Sequence, residues 1–180
     1  MGYREYREIS HKYFVADKAE RFEFLYANYY NYAGILTCQR YAFLYMVESY
    51  LMNNHWEEYI KRYSGPAYKS TMEHLSECLD RTGTLDFGIV GLDLPEYILI
   101  QYKNYCRMKL EFKIFSNALM TFGNKEESII YRYVTHQISL WDIADEKSIS
   151  YETAKGRVRD LKKELKARTY LLLAEDLMAS

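Results

Sequence analysis

A short stretch near the carboxyl end of the chain combines the residue types that bind DNA. Polar and aromatic side chains come first and could contact base edges, whereas the Lys and Arg side chains that follow suit phosphates. Glu152 could accept from a cytosine amine, Thr153 could touch a thymine methyl group, and Lys155 could reach a guanine edge. The predicted DNA-binding residues are Ser150, Tyr151, Glu152, Thr153, Lys155, Gly156, Arg157, Arg159, Lys162 and Lys163.

Three residues in or near this stretch also have a purely structural interpretation. Thr153 could equally pack its methyl group inward at the start of a helix. Gly156 costs a helix about 0.5–1 kcal/mol relative to Ala, which suggests the close approach of another backbone, although simple tolerance explains it too. Trp141 could brace against the sugar–phosphate backbone, but a half-buried position in the core is favoured.

The charge of this region is polarised along the chain. Residues 150–168 carry seven Lys and Arg against three Asp and Glu, a balance of plus four, whereas residues 122–149 carry three cations and five anions, a balance of minus two. If about five phosphates are neutralised, log affinity should fall with log salt at a slope of roughly −4 to −5. An ordinary solvated helix has similar charge spacing, so charge alone does not decide between the two.

Two short helices are predicted to position these side chains. Ser139 and Asp142 form an S-x-x-D capping box for the first helix, and Ser150 caps the second. The second helix carries an inward apolar stripe at spacings of four, three and four residues, which leaves the basic residues mostly outward. The stripe consists of Ala154, Val158, Leu161 and Leu165.

This pattern resembles region four of the bacterial sigma factors, especially the extracytoplasmic-function type, and the related LuxR-type output domain. The matching segments are Arg132-Tyr133, Ile138-Ser139-x-x-Asp142-Ile143-Ala144 and Ile149-Ser150-x-x-Thr153-Ala154-Lys155-x-Arg157-Val158. The chain departs from the family pattern by one extra residue before Ile138, by Lys147 at a usually apolar position, and by Ser148 where the turn normally has Gly. The last change predicts a strained or remodelled turn.

The resemblance covers about a quarter of the chain and implies a helix-turn-helix that binds double-stranded promoter or operator DNA. Residues 1–121 lack the upstream sigma-factor pattern, so the chain is more similar to small phage and mobile-element transcription activators. The alternative is a phage-type interaction or inhibitor protein that binds a host complex, such as RNA polymerase or a defence nuclease. An activator can also touch RNA polymerase, so the two are not exclusive.

The fold class is predicted to be all-α, because the chain has only two prolines and eight glycines. A Tyr-rich helical domain over residues 1–121, serving dimerisation or partner binding, is followed by a helix-turn-helix domain over 122–180. The helix after residue 168 is expected to pack on the amino-terminal domain or, less favoured, on a second copy in a homodimer. Amino-terminal helices are predicted at about 17–32, 34–53, 67–81 and 95–121, with a non-helical segment at 82–95.

Twenty tyrosines are the main oddity of the composition. A position around the helical core is favoured for most of them, and an aromatic interface is the second interpretation. A stacking platform for single strands is disfavoured, because residues 1–121 hold fourteen Lys and Arg against fifteen Asp and Glu.

The chain carries no motif that predicts an enzyme, a cofactor or a metal site. Neither of the glycine-rich phosphate-binding motifs is present. His74 and Cys78 stand four residues apart without a second ligand pair, and adjacent carboxylates such as Glu57 and Glu58 diverge around a helix. The three cysteines without a C-x-x-C, and the lack of a signal peptide or long apolar run, predict a reduced cytoplasmic protein that does not span a membrane.

Overall fold

The computed structural model describes residues 12–13, 15–54, 94–125 and 127–178. These residues are mostly helical and include no β-strand, which confirms the all-α class. The described helices are α1 (Lys18–Asn28), α2 (Tyr32–Asn54), α3 (Glu96–Met120), α4 (Ile129–Val134), α5 (Leu140–Lys147) and α6 (Tyr151–Met178), with a turn of 3-10 helix at Tyr29–Asn31.

The amino-terminal helices agree with the sequence pattern wherever they are described. α1 with its 3-10 turn, α2 and α3 correspond to the helices predicted at 17–32, 34–53 and 95–121. Asp17 starts α1 with a capping box, in which its side chain accepts from the Glu20 backbone and the Glu20 side chain accepts from the Asp17 backbone. The helix predicted at 67–81 and almost all of the segment at 82–95 lie outside the described residues.

Packing divides the chain into two compact units. Unit 1 contains residues 1–14 and 35–107, and unit 2 contains residues 15–34 and 108–180. Unit 2 therefore joins α1 and the end of α3 to the carboxyl-terminal helices, and the predicted division at residue 121 stays a prediction. In unit 1, one apolar cluster is formed by Phe43, Leu44, Val47, Leu94, Ile98 and Tyr105.

Inside unit 2 the second half of α6 packs against α1, and α1 packs against α3. The ring of Phe22 lies 5.6 Å from that of Phe115 and 6.3 Å, edge to face, from that of Tyr170. Arg21 on α1 donates to Glu111 on α3 at 3.0 and 3.1 Å. The continuation of the last helix thus packs on residues that precede it in sequence, which was the favoured prediction for this seam.

The tyrosines divide between the core and the surface. Tyr32 is fully buried and stacks on Phe112, with ring centroids 4.8 Å apart. Tyr41 and Tyr45 on α2 are instead 55% and 60% exposed. Some of the tyrosines therefore pack in the core, and others are exposed on the surface.

The turn between α5 and α6 forms with Ser148 in the left-handed conformation, at φ 49° and ψ 48°. Ile149 N donates to Ala144 O at 3.0 Å and Ser148 N donates to Asp145 O at 3.1 Å. This pair of bonds is a Schellman motif, which usually has glycine at the left-handed position. The turn is therefore strained at Ser148 but keeps the geometry that glycine would give.

We predict that Ser148→Gly stabilises the protein. The substitution relieves about 1–2 kcal/mol of left-handed strain and loses about 0.4–1 kcal/mol through the greater freedom of the unfolded chain. The net gain in the free energy of unfolding should be about 0.5–1 kcal/mol, measured by urea denaturation. Ser148→Ala keeps the strain and should give no such gain; an equal gain in both variants would contradict this explanation.

Candidate nucleic-acid interface

α5 begins at the capping box that the sequence predicts. Asp142 N donates to Ser139 Oγ at 3.3 Å, and Ser139 N donates to Asp142 Oδ2 at 2.7 Å. The two bonds satisfy backbone donors that the first turn of a helix otherwise leaves open. They fix where α5 starts.

α6 begins at Ser150, which is also as predicted. Thr153 N donates to Ser150 Oγ at 3.2 Å, and the hydroxyl groups of the two residues lie 2.8 Å apart. Thr153 is exposed, so the interpretation in which its methyl group packs inward is wrong. The hydroxyl groups of Ser150 and Thr153 thus already serve the cap, which ties both residues to the start of the helix.

A small buried cluster holds α5 against α6. Ile143 of α5 and Ala154 of α6 are fully buried, and Val158 is nearly so. Ile138 and Ala144 complete the cluster. The predicted apolar stripe of α6 is confirmed at Ala154, Val158 and Leu165, which are buried, whereas Leu161 is only half-buried.

An ion pair ties α4 to the end of α5. Arg132 donates through its two terminal nitrogens to both oxygens of Glu146, at 3.0 and 2.6 Å. The hydrogen bonds from Arg132 lower the pKa of Glu146, and the same bonds raise the pKa of Arg132. The pKa of Asp142 is lowered as well, chiefly by the hydrogen bond from the Ser139 backbone. Two carboxylates of α5 are therefore ionised and committed to structural contacts.

The outward side of α6 carries a stripe at spacings of four, three and four residues, beginning at Glu152 and continuing through Gly156, Arg159 and Lys163. Arg159 and Lys163 are about 70% exposed, and both lie near the carboxylate of Asp160, at 3.7 and 3.5 Å.

Two further cations flank Gly156. Lys155 and Arg157 are exposed, and no ion pair joins either of them to another described residue. The positive charge on the first turns of α6 is thus open to solvent.

Lys162 is predicted to bind DNA phosphate, but in the structure its ammonium contacts α1. Its ammonium lies 2.5 Å from Glu23 Oε2 and 4.5 Å from the centre of the Tyr26 ring, so the side chain lies against α1. Arg168 likewise turns inward and donates to the Thr121 backbone at 2.8 Å. We therefore remove Lys162 from the phosphate-binding set, because its side chain is only 32% exposed, against about 70% for Arg159 and Lys163.

Open space surrounds Gly156. Apart from its chain neighbours and the backbone of its own helix, a Cβ atom built on this glycine would meet no described atom within 4 Å. No part of the described chain therefore requires glycine here. The glycine is therefore either simply tolerated in the helix or allows another molecule to approach closely.

Trp141 and Tyr151 form an aromatic pair at the start of α6. The indole is 65% exposed, so the prediction of a half-buried core position is wrong. Its ring centre lies 4.5 Å from that of Tyr151, with 36° between the ring planes. Helical spacing does not give this exposure, because Trp141 stands three residues before the buried Ala144, a separation that places two residues on one face of a helix.

The described residues hold no group of three or more His, Cys, Asp or Glu side chains that could bind a metal ion. His74, Cys78, Glu57 and Glu58 lie outside those residues. None of the described helices is both long enough and apolar enough to cross a membrane.

Comparison with known proteins gives no relative for this chain: no family model, no curated protein and no solved structure matches it.

We predict that the ion pair between α4 and α5 makes the free energy of unfolding decrease at acidic pH. A carboxylate with a lowered folded-state pKa stabilises the fold above its ordinary pKa, and this contribution is lost as the pH falls through the lowered value. For Asp142 and Glu146, whose ordinary values are 3.8 and 4.5, the loss should occur below about pH 4.5. Urea denaturation as a function of pH measures it.

The matched variants are Glu146→Gln and Asp145→Asn. Glu146→Gln should lower the free energy of unfolding at neutral pH and flatten its fall in acid. Asp145 is exposed and makes no ion pair with another described residue, so Asp145→Asn should change little. Identical pH profiles for the wild type and Glu146→Gln would show that the ion pair does not contribute.

Proposed function

We propose that this chain is a sequence-specific regulator of transcription that binds double-stranded DNA through α6. The observation that carries the proposal is the pair of exposed cations, Lys155 and Arg157, on the first turns of a helix whose start is capped and whose inner face is packed on α5. A helix held this way can enter a major groove with its amino-terminal turns toward the bases.

The exposed residues of α6 form two groups, one suited to base edges and the other suited to phosphates. Glu152 and Lys155 lie within the first two turns, where side chains of a recognition helix meet base edges. Arg157, Arg159 and Lys163 lie further along, where cations suit phosphates. Four exposed cations, rather than five, lower the expected salt slope to roughly −3 to −4.

The acidic residues of α5 repel DNA phosphates less strongly than the sequence suggests. Arg132 compensates the charge of Glu146, and Asp142 accepts from the Ser139 backbone. The residual negative charge restricts the approach of phosphates to the α6 side, which favours one docking orientation over others.

The remainder of the chain would support α6 and recruit partners. Unit 2 holds α6 through α1, and unit 1 is the candidate for dimerisation or for contact with RNA polymerase. Small helix-turn-helix proteins often gain affinity by pairing two half-sites. A phage or mobile-element activator of this kind remains the class we propose.

Selection of bound fragments from random duplex DNA tests the proposal, and a discrete enriched motif is expected. On that duplex Lys155→Ala should cost about 1–3 kcal/mol of binding and relax specificity at one base pair. Arg157→Ala should weaken binding to all sequences and reduce the salt slope by about 1.

The control for these variants is Lys109→Ala, which removes an exposed lysine of the same charge from α3. It should leave both the affinity and the salt slope near those of the wild type. Equal losses in Lys109→Ala and Lys155→Ala would mean that net charge, and not the α6 surface, controls binding. If all the variants bind as tightly as the wild type, DNA binding through α6 is excluded.

The variant Gly156→Ala tests whether Gly156 is simply tolerated in the helix or allows the close approach of the DNA backbone. Because a Cβ atom finds open space there, alanine should raise the free energy of unfolding by about 0.5–1 kcal/mol. If the DNA backbone passes over this position, the same variant should bind the enriched duplex more weakly despite its greater stability. Increased stability with unchanged binding would assign Gly156 to simple tolerance.

A second candidate function is binding to a host protein complex, such as RNA polymerase or a defence nuclease. It is favoured by the exposed tyrosines of unit 1, Tyr41, Tyr45 and Tyr97, which are 54–60% exposed. Tyrosine offers large contact area at interfaces. The two functions separate in one comparison: Tyr45→Ser should weaken binding to purified RNA polymerase without changing DNA binding, whereas Lys155→Ala should do the reverse.

A further inference from the structure

Trp141 of α5 and the half-buried Tyr151 of α6 form an aromatic contact outside the buried cluster between these helices. The buried cluster between these helices is complete without the indole, which is 65% exposed. Single exposed apolar residues are common on protein surfaces. This one differs in its position, because its ring is held at 4.5 Å from the first residue of the proposed recognition helix.

We propose that the Trp141–Tyr151 pair reads thymine, by packing its ring edges against the 5-methyl group in the major groove. This inference rests on the proposed function and names one base that the interface selects. The 5-methyl group of thymine is the apolar feature that base pairs present in that groove.

The neighbouring charges favour a base edge over a phosphate as the partner of this pair. Asp142 follows Trp141 in sequence, Glu152 follows Tyr151, and both carboxylates are exposed. A phosphate at this point would meet two negative charges, whereas a methyl group carries none. The cations that suit phosphates lie one or more turns further along α6.

The two caps fix where the pair is presented. Trp141 is the second residue of α5 after its Ser139 cap, and Tyr151 is the first residue of α6 after Ser150. Lys155 stands four residues beyond Tyr151, a rise of about 6 Å along the helix. That distance corresponds to about two base pairs, so the selected thymine should lie about two base pairs from the base that Lys155 contacts.

Replacing thymine by uracil in the enriched duplex tests this inference directly, since it removes the methyl group and keeps the hydrogen-bonding pattern. When a single thymine of the enriched duplex is replaced, the wild type should bind the uracil duplex about four-fold more weakly, the effect of losing about 0.8 kcal/mol of methyl burial. Trp141→Ala should bind the thymine duplex more weakly and no longer distinguish thymine from uracil there.

One control variant and one fluorescence measurement test whether the effect belongs to the aromatic pair. Leu171→Ala removes another large exposed apolar side chain, 66% exposed, from the far part of α6, and it should keep the wild-type discrimination. Trp56→Phe leaves Trp141 as the sole tryptophan. Its fluorescence should change when the specific duplex is added to this variant.

The outcomes separate this inference from the function on which it rests. If the wild type binds a specific duplex in a Lys155-dependent manner but never distinguishes thymine from uracil, the aromatic contact is wrong and the DNA-binding function stands. Unchanged Trp141 fluorescence on specific binding leads to the same conclusion. If no duplex is enriched at all, both proposals fail together.

Discussion

The buried contact between α5 and α6 is the constraint on which the proposed interface depends. Ala154 is fully buried against Ile143, and its small side chain lets the two helices approach closely. Because this contact fixes the rotation of α6 about its own axis, it also fixes which residues point away from α5. The exposure of Lys155 and Arg157 is a consequence of that rotation.

α6 is one continuous helix whose two halves lie in different surroundings. Its first turns are capped, packed on α5 and exposed on the other side, whereas Leu165 and Thr169 further along are buried in unit 2. The ion pair between Lys162 and Glu23 lies where the two environments meet. Since a helix transmits its orientation along its length, the packing of α1 and the direction of the exposed turns are mechanically linked.

The local features of the interface were readable from sequence, because each depends on residues only three or four apart. Ser139 with Asp142 and Ser150 with Thr153 form caps within one helical turn. The apolar register follows from the period of the helix. The substitution of Ser148 for the usual Gly predicted a strained or remodelled turn, and the backbone angles show that the turn is strained and not remodelled.

The sequence by itself determined the helical class, the caps and the face that α5 and α6 bury, since these follow from short-range hydrogen bonding and periodicity. Only the tertiary structure decided the partner of Lys162, because Glu23 is 139 residues away and charge spacing cannot choose between distant partners. It likewise decided that Trp141 is exposed and that α1 belongs with the carboxyl-terminal helices. Burial and pairing depend on which surfaces meet in the folded chain, and that information is not local.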